Sequence, residues 1–259
     1  MKLTVLNDNW CARSDGLLSE WGLSFFIEHQ GIKILFDTAY SGIYKDNANK
    51  LGIDLEMVGW IVLSHHHDDH FRGLQFHNFS EKHKLLCHPD LIEKLEVGTK
   101  EKIKNDFETI TSEKPYRITE EIIFLGEIPK SNDFESGIYI KSSDLVRGLN
   151  KGEKIKEDSA LAIKIPGGVI VITGCSHSGI CNICEYAKKI TGQKISAVIG
   201  GFHLLDQEKE ETIRKTIEYF VKEKIPHLYP MHCVGFKALS MMVSKLKITK
   251  IGTGDSVEL

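Results

Sequence analysis

The sequence predicts an α/β protein in which two β-rich halves, each with helices following, form a layered sandwich. Three observations carry this expectation. Short apolar, β-branched runs dominate the first third of the chain. Strand-like and helix-like segments alternate through the last third. No self-similarity recurs at the 20–50-residue period of a repeat protein. A chain of 259 residues is long enough for one large domain. We expect a single domain over 1–259, with a candidate lid or insertion around 91–157.

The elements follow in order. Residues 2–6, 23–28, 33–37 and 60–64 read as strands, because they are apolar and rich in β-branched and aromatic residues. Glu28-His29-Gln30-Gly31 reads as a hairpin turn between the second and third. Residues 41–51 read as a helix, with Asn49 and Gly52 marking its end. The stretch 91–157 is richer in Lys and Glu and less periodic, so mixed helix and irregular structure is expected there. Strands at 160–165 and 169–173 flank the turn Pro166-Gly167-Gly168. Then come a helix at 182–191, a strand at 197–199 and an amphipathic helix at 208–223. A strand at 227–229, a helix at 236–246 and a closing strand at 250–253 complete the chain.

Composition narrows the function classes. Charged residues make up 27% and the net charge is −3, which gives no reason to expect nucleic acid or an anionic membrane as a partner. No apolar run approaches the roughly 20 residues that cross a bilayer. Residues 1–6 lack the long apolar core and cleavage site of a signal peptide, so a cytoplasmic location is expected. The six cysteines show no disulfide framework, which suits reduced thiols. The expected partner is a small-molecule substrate.

The chemistry concentrates at one place. Ile61-Val62-Leu63-Ser64 is a buried strand that stops abruptly at His65-His66-His67-Asp68-Asp69-His70. Functional groups collect on loops at strand ends. His65 and His67 are two apart, so in extended chain both imidazoles face the same way. A turn at Asp69 and His70 would bring those two to the other side of a small cavity. Imidazole with carboxylate suits zinc, with iron and manganese as alternatives. His177, His203 and His232 each follow another predicted strand, and strand ends can converge on one edge of a sandwich. Cys181-Asn182-Ile183-Cys184 has no second pair nearby and carries little metal signal. His88, after Cys87, is expected to be structural.

The pattern of His65, His67, Asp69 and His70 after a buried strand resembles the signature of the metallo-β-lactamase superfamily. The resemblance extends to a subfamily of metal-dependent hydrolases that includes dihydropterin–ribofuranosyl-aminobenzene-phosphate synthases. Its marks are Gly22-Leu23-Ser24, residues 34–38, Gly174-Cys175-Ser176-His177, Gly200-Gly201-Phe202-His203 and Pro230-Met231-His232-Cys233. The resemblance implies a four-layer αβ/βα sandwich and two divalent ions, zinc first. His65 and His67 would bind one ion; Asp69 and His70 would bind the second. His66 and Asp68 fall between these positions.

The resemblance also assigns the later residues. His232 matches the last histidine ligand, on the second ion. Cys175 stands where many relatives carry a bridging Asp, and no histidine occurs near Glu157 or Asp158, where the usual third one lies. His177 is therefore expected to complete the first ion's shell. Cys175 is left open as ligand, ligand support or packing group. His203 is a candidate general acid, ligand or orienting group, and Asp69 and His203 are the candidate catalytic residues. Asp37, at a strand end, is expected to hydrogen-bond the metal loop. The chain departs from the subfamily pattern at Trp21, Ala39 and Arg72, which bears on substrate.

Hydrolysis of an ester-type or phosphate-type bond is the leading expectation. The alternatives are a transferase joining a dihydropterin diphosphate to an aminobenzene ribotide, and a non-catalytic metal-binding protein. Diiron oxygen reduction fits poorly, because relatives with that chemistry carry Glu where this chain has His67.

Overall fold

The computed structural model describes residues 1–13, 15–135, 155–205 and 209–259. The chain divides into two compact units, Met1–Glu113 with Lys250–Leu259, and Lys114–Thr249.

The first unit opens with β1 (Lys2–Asn7), β2 (Ser24–His29) and β3 (Ile32–Phe36), which pair antiparallel. Gln30 and Gly31, at φ 49° and 79°, form the two-residue turn expected between β2 and β3. Positive φ at both central residues suits the right-handed twist of a hairpin. The chain continues through α1 (Ile43–Lys50), β4 (Trp60–Val62), α2 (Asp68–Phe71), β5 (His83–Cys87), α3 (Pro89–Lys94), α4 (Val97–Asp106) and β6 (Phe107–Thr111). Strands β3 to β6 run parallel. Parallel strands need crossovers and are covered on both faces, which is why Ile34, Leu35, Phe36, Ile61, Val62, Leu85 and Leu86 are all fully buried. Tyr44, Ala48, Leu55, Leu91 and Phe107 close the core over Leu35, Ile61 and Leu85.

The second unit holds β7 (Tyr116–Arg117), β8 (Ile122–Phe124), β9 (Ala160–Ile165), β10 (Gly168–Thr173), α5 (Ile180–Thr191), β11 (Ile195–Gly201), α6 (Glu210–Glu223), β12 (His227–Met231) and α7 (Phe236–Val243). Its six-stranded sheet has the order β12-β11-β10-β9-β8-β7. The pairs from β7 to β10 are antiparallel, and β10, β11 and β12 are parallel. Ile183 and Ala187 of α5, Ile213, Ile217 and Phe220 of α6, and Met242 of α7 bury their apolar stripes with Val169, Val171 and Val198 of the sheet. The chain then returns to the first unit, where β13 (Ser256–Glu258) pairs with β1 and completes the seven-stranded order β13-β1-β2-β3-β4-β5-β6.

Two expectations change. Residues 250–253 make only an isolated bridge, Thr253 to Cys11, and the closing strand lies at β13. Asp255 closes a turn there, its backbone N–H donating to Gly252 O while its carboxylate accepts from Gly252 N. Turn chemistry of Gly and Asp thus displaces the strand. Within 91–157, residues 91–135 carry two helices and three short strands, and residues 136–154 lie outside the described ones. Strand β6 was illegible because it is an edge strand with one buried residue in five. Among the described residues, no helix is long and apolar enough to cross a membrane.

Candidate metal centre

In the first unit, β4 delivers the chain into the histidine run, and Asp37 at the end of β3 holds that run in place. Its Oδ1 accepts from Ser64 N at 2.8 Å, and its Oδ2 accepts from Ser64 Oγ at 2.7 Å. Oδ2 also meets His70 Nδ1 at 2.7 Å. The Ser64 hydroxyl spends its single proton on Asp37, so it accepts from His65 Nδ1 at 2.9 Å. Both Nδ1 atoms are therefore the protonated ones, and Nε2 of His65 and His70 carry the ligating lone pairs. A carboxylate or hydroxyl behind the imidazole that fixes its tautomer is the usual support for a metal-binding histidine. Asp37 thus makes the expected hydrogen bond to the histidine loop.

The rings gather accordingly. His65 lies 4.7 Å from His67 and 4.2 Å from His70 between ring centroids. Asp69 Oδ2 is 3.8 Å from His70 Nε2. His65, His66 and His70 are buried. The loop is set by backbone bonds: Leu23 N donates to Asp69 O at 3.1 Å and Thr38 N to His70 O at 2.7 Å. Gly22 and Gly73 are required here, because a Cβ on the first would press on Asp69 O and on the second would overlap Thr38 O. Asp37 and Ala39 adopt φ of 54° and 56°. Non-glycine residues rarely occupy this region, and such strain collects at functional sites.

In the second unit, β10, β11 and β12 end in Cys175–His177, His203 and His232. The His177 and His203 rings lie 4.4 Å apart. Ser176 Oγ donates to Gly201 O at 2.6 Å and meets Thr173 Oγ1 at 2.9 Å, tying the His177 turn to the end of β11. Ser178 N donates to Asp158 Oδ2 at 2.8 Å. Burial pushes the Asp158 carboxyl up to about 7, against the pull of the Ser178 and His177 N–H groups. Ser176, His203 and His232 all have φ between 49° and 60°. Cys175, His232 and Cys233 present ligand atoms within 4.8 Å of one another.

His65, His67, His177, His203 and His232 thus lie in the segments that follow strands, and Asp69 and His70 lie in α2 just beyond the first of these. His88 also follows a strand, β5, but its Nδ1 accepts from Asp90 N at 3.1 Å and caps α3, the structural role expected. Cys181 and Cys184 lie on the buried face of α5, and burial pushes both thiols up. Sequence reasoning missed Asp158, whose signal was only its place before a strand, and Cys233, whose signal was its adjacency to His232. The donors present, imidazole, carboxylate and thiol with orienting hydrogen bonds behind them, fit a divalent transition metal.

A family model described as the metallo-beta-lactamase superfamily matches residues 22–232. The chain belongs to that superfamily. It is 34% identical to the 7,8-dihydropterin-6-methyl-4-(beta-D-ribofuranosyl)-aminobenzene-5'-phosphate synthase of Methanocaldococcus jannaschii, across 95% of this chain and 92% of that one. The subfamily resemblance is thereby borne out. Among solved structures, Tm1679, described as a metal-dependent hydrolase of the beta-lactamase superfamily, superposes with a TM-score of 0.81 at 24% identity. The match covers 100% of this chain and 99% of the other. Zn(2+)-bound PqqB from Methylobacterium extorquens gives a TM-score of 0.62 at 13% identity, covering both chains in full. These two likenesses establish the fold, and the expected α/β sandwich of the metallo-β-lactamase type stands.

Proposed function

We propose that this protein is a metal-dependent hydrolase acting on an ester-type or phosphate-type bond of a small molecule. The observation that carries the reading is the pair of imidazoles, His65 and His70, whose Nδ1 atoms are held by Ser64 and Asp37 so that Nε2 is offered to a cation. Six residues would hold two divalent ions, zinc first: His65, His67, Asp69, His70, His177 and His232. Bound there, the ions supply Lewis-acid activation of a water and charge stabilisation at the scissile group.

The chain's own groups do the rest. Asp69, whose side chain is 16% exposed, would accept a proton from the attacking water. His203 would return one to the leaving group, a role that suits an imidazole. The His177 ring 4.4 Å away limits where the His203 ring can turn.

A panel of phosphodiester, lactone and thioester substrates, run with and without a chelator, tests this. Turnover of one class is expected, lost on metal removal and restored by zinc. Full activity in metal-free protein would sink the reading. The name of the Methanocaldococcus jannaschii relative favours a second reading, a synthase joining a dihydropterin diphosphate to an aminobenzene ribotide. Incubation with both substrates decides between them: condensed product without hydrolysis of the panel selects the synthase.

A further inference from the structure

The ligand set above leaves two thiols beside His232 unused. Cys175, His232 and Cys233 are 4%, 8% and 2% exposed, and their ligand atoms lie within 4.8 Å of one another. Neither cysteine is in a disulfide. Tetrahedral zinc, with Zn–S near about 2.3 Å and Zn–N near about 2.0–2.1 Å, needs donors roughly 3.4–3.8 Å apart, so small side-chain rotations bring these three into range.

The backbone is shaped to make this cluster. Consecutive side chains of an extended strand point to opposite faces, yet His232 and Cys233 serve one point. The left-handed φ of 51° at His232 reverses the chain there. Ser176, directly after Cys175, turns the same way at φ 60°. Gly201 leaves the gap in which the two turns meet. A Cβ there would lie 2.5 Å from Cys233 Sγ and 3.2 Å from Cys175 Cα, and would press on Gly174 O. The Cys233 thiol donates to Cys175 O at 3.4 Å. A cation among two buried sulfurs and an imidazole would be held by the thiolate forms, the protons leaving as the metal binds.

We propose that Cys175 and Cys233 are thiolate ligands which, with His232, give one ion a soft donor set. Thiolate selects zinc over manganese or magnesium. Each thiol releases one proton to solvent as its sulfur binds. The proposal rests on the metalloenzyme reading but goes beyond its ligand set.

Cobalt(II) titrated into the metal-free full-length protein separates the two. Visible ligand-field bands report cobalt in the site, and a near-ultraviolet band reports thiolate-to-cobalt charge transfer. Wild type is expected to show both. C175S and C233S should each lose part of the near-ultraviolet band, and the double variant all of it, while the visible bands persist. C11S should leave the spectrum unchanged. Visible bands without a near-ultraviolet band in wild type would overturn the thiolate ligands and leave the metal centre standing. A near-ultraviolet band that survives in the double variant would do the same. No bands at all would overturn both. If the variants misfold, X-ray absorption on the wild-type zinc protein decides: a sulfur shell at about 2.3 Å is expected, and a shell of nitrogen and oxygen alone refutes it.

Discussion

Asp37 is the residue on which the histidine run of the first unit turns. One carboxylate takes Ser64 N, Ser64 Oγ and His70 Nδ1, and through Ser64 it also sets the tautomer of His65. Its own φ of 54° is a strained conformation retained at the end of a buried parallel strand. D37N keeps the shape but replaces one oxygen by a donor that conflicts with Ser64 or His70. Removing such a supporting group costs about 10–100-fold in metal affinity. A competition titration with a chromophoric zinc chelator should show that loss; unchanged affinity would mean that Asp37 serves the fold alone. The thiol pair at Cys175 and Cys233 belongs to this scale too, since a donor's hardness is a property of single atoms.

At the scale of elements, every proposed ligand follows a parallel strand: β4 leads to His65, β10 to His177 and β12 to His232. The carboxyl ends of parallel strands are where open α/β sheets present their ligand sites. Helix α5 shows how such an end is secured. Its first turn donates Cys181 N and Asn182 N to the Glu135 carboxylate at 2.8 and 2.9 Å, and Gly179 leaves room for that side chain. Asn182 Oδ1 in turn accepts from Ser131 N, Ser131 Oγ and Asn132 N. A buried carboxylate facing a helix N-terminus is favourable electrostatically, yet burial outweighs this and holds the Glu135 carboxyl above the ordinary value of 4.5. A carboxyl raised on folding contributes stability that is full below pH 4.5 and is lost as pH rises through the raised value. E135Q, which cannot ionise, should be less stable than wild type at pH 4, because its amide nitrogen faces N–H donors. That gap should narrow as pH rises. Urea denaturation across this range measures it, and a gap independent of pH would show that Glu135 does not titrate as described.

For the whole molecule, the proposed metal binding would be linked to folding. The proposed ligands lie far apart in the sequence and would hold no ion in the unfolded chain, so the free energy of binding a metal would add to that of folding. Ligand that binds only the native state stabilises by about 2.7 kcal/mol at a hundredfold excess over Kd. Chelated protein is expected to melt several degrees below the zinc-loaded form by calorimetry, and equal melting temperatures would argue against a bound ion. The net charge of −3 adds no long-range steering for polyanions, which suits a small substrate.

The histidine run, Asp37 and most of the strands were legible in the residues because each is local. A β-branched run ending in six polar residues announces a buried strand and a functional loop, and the 3.6-residue stripe of α6 announces an amphipathic helix. Edge strand β6 was hidden because an edge strand has little apolar face to display. The closing strand was misplaced because glycine turn chemistry decides there and hydrophobicity does not. Cys233 was hidden for a different reason. Its meeting with Cys175 depends on the left-handed turns at Ser176 and His232 and on the bare backbone of Gly201, features of three separate strand ends. Local pattern can say which side chains are able to bind a metal; only the packing of those ends brings two sulfurs and an imidazole to one point.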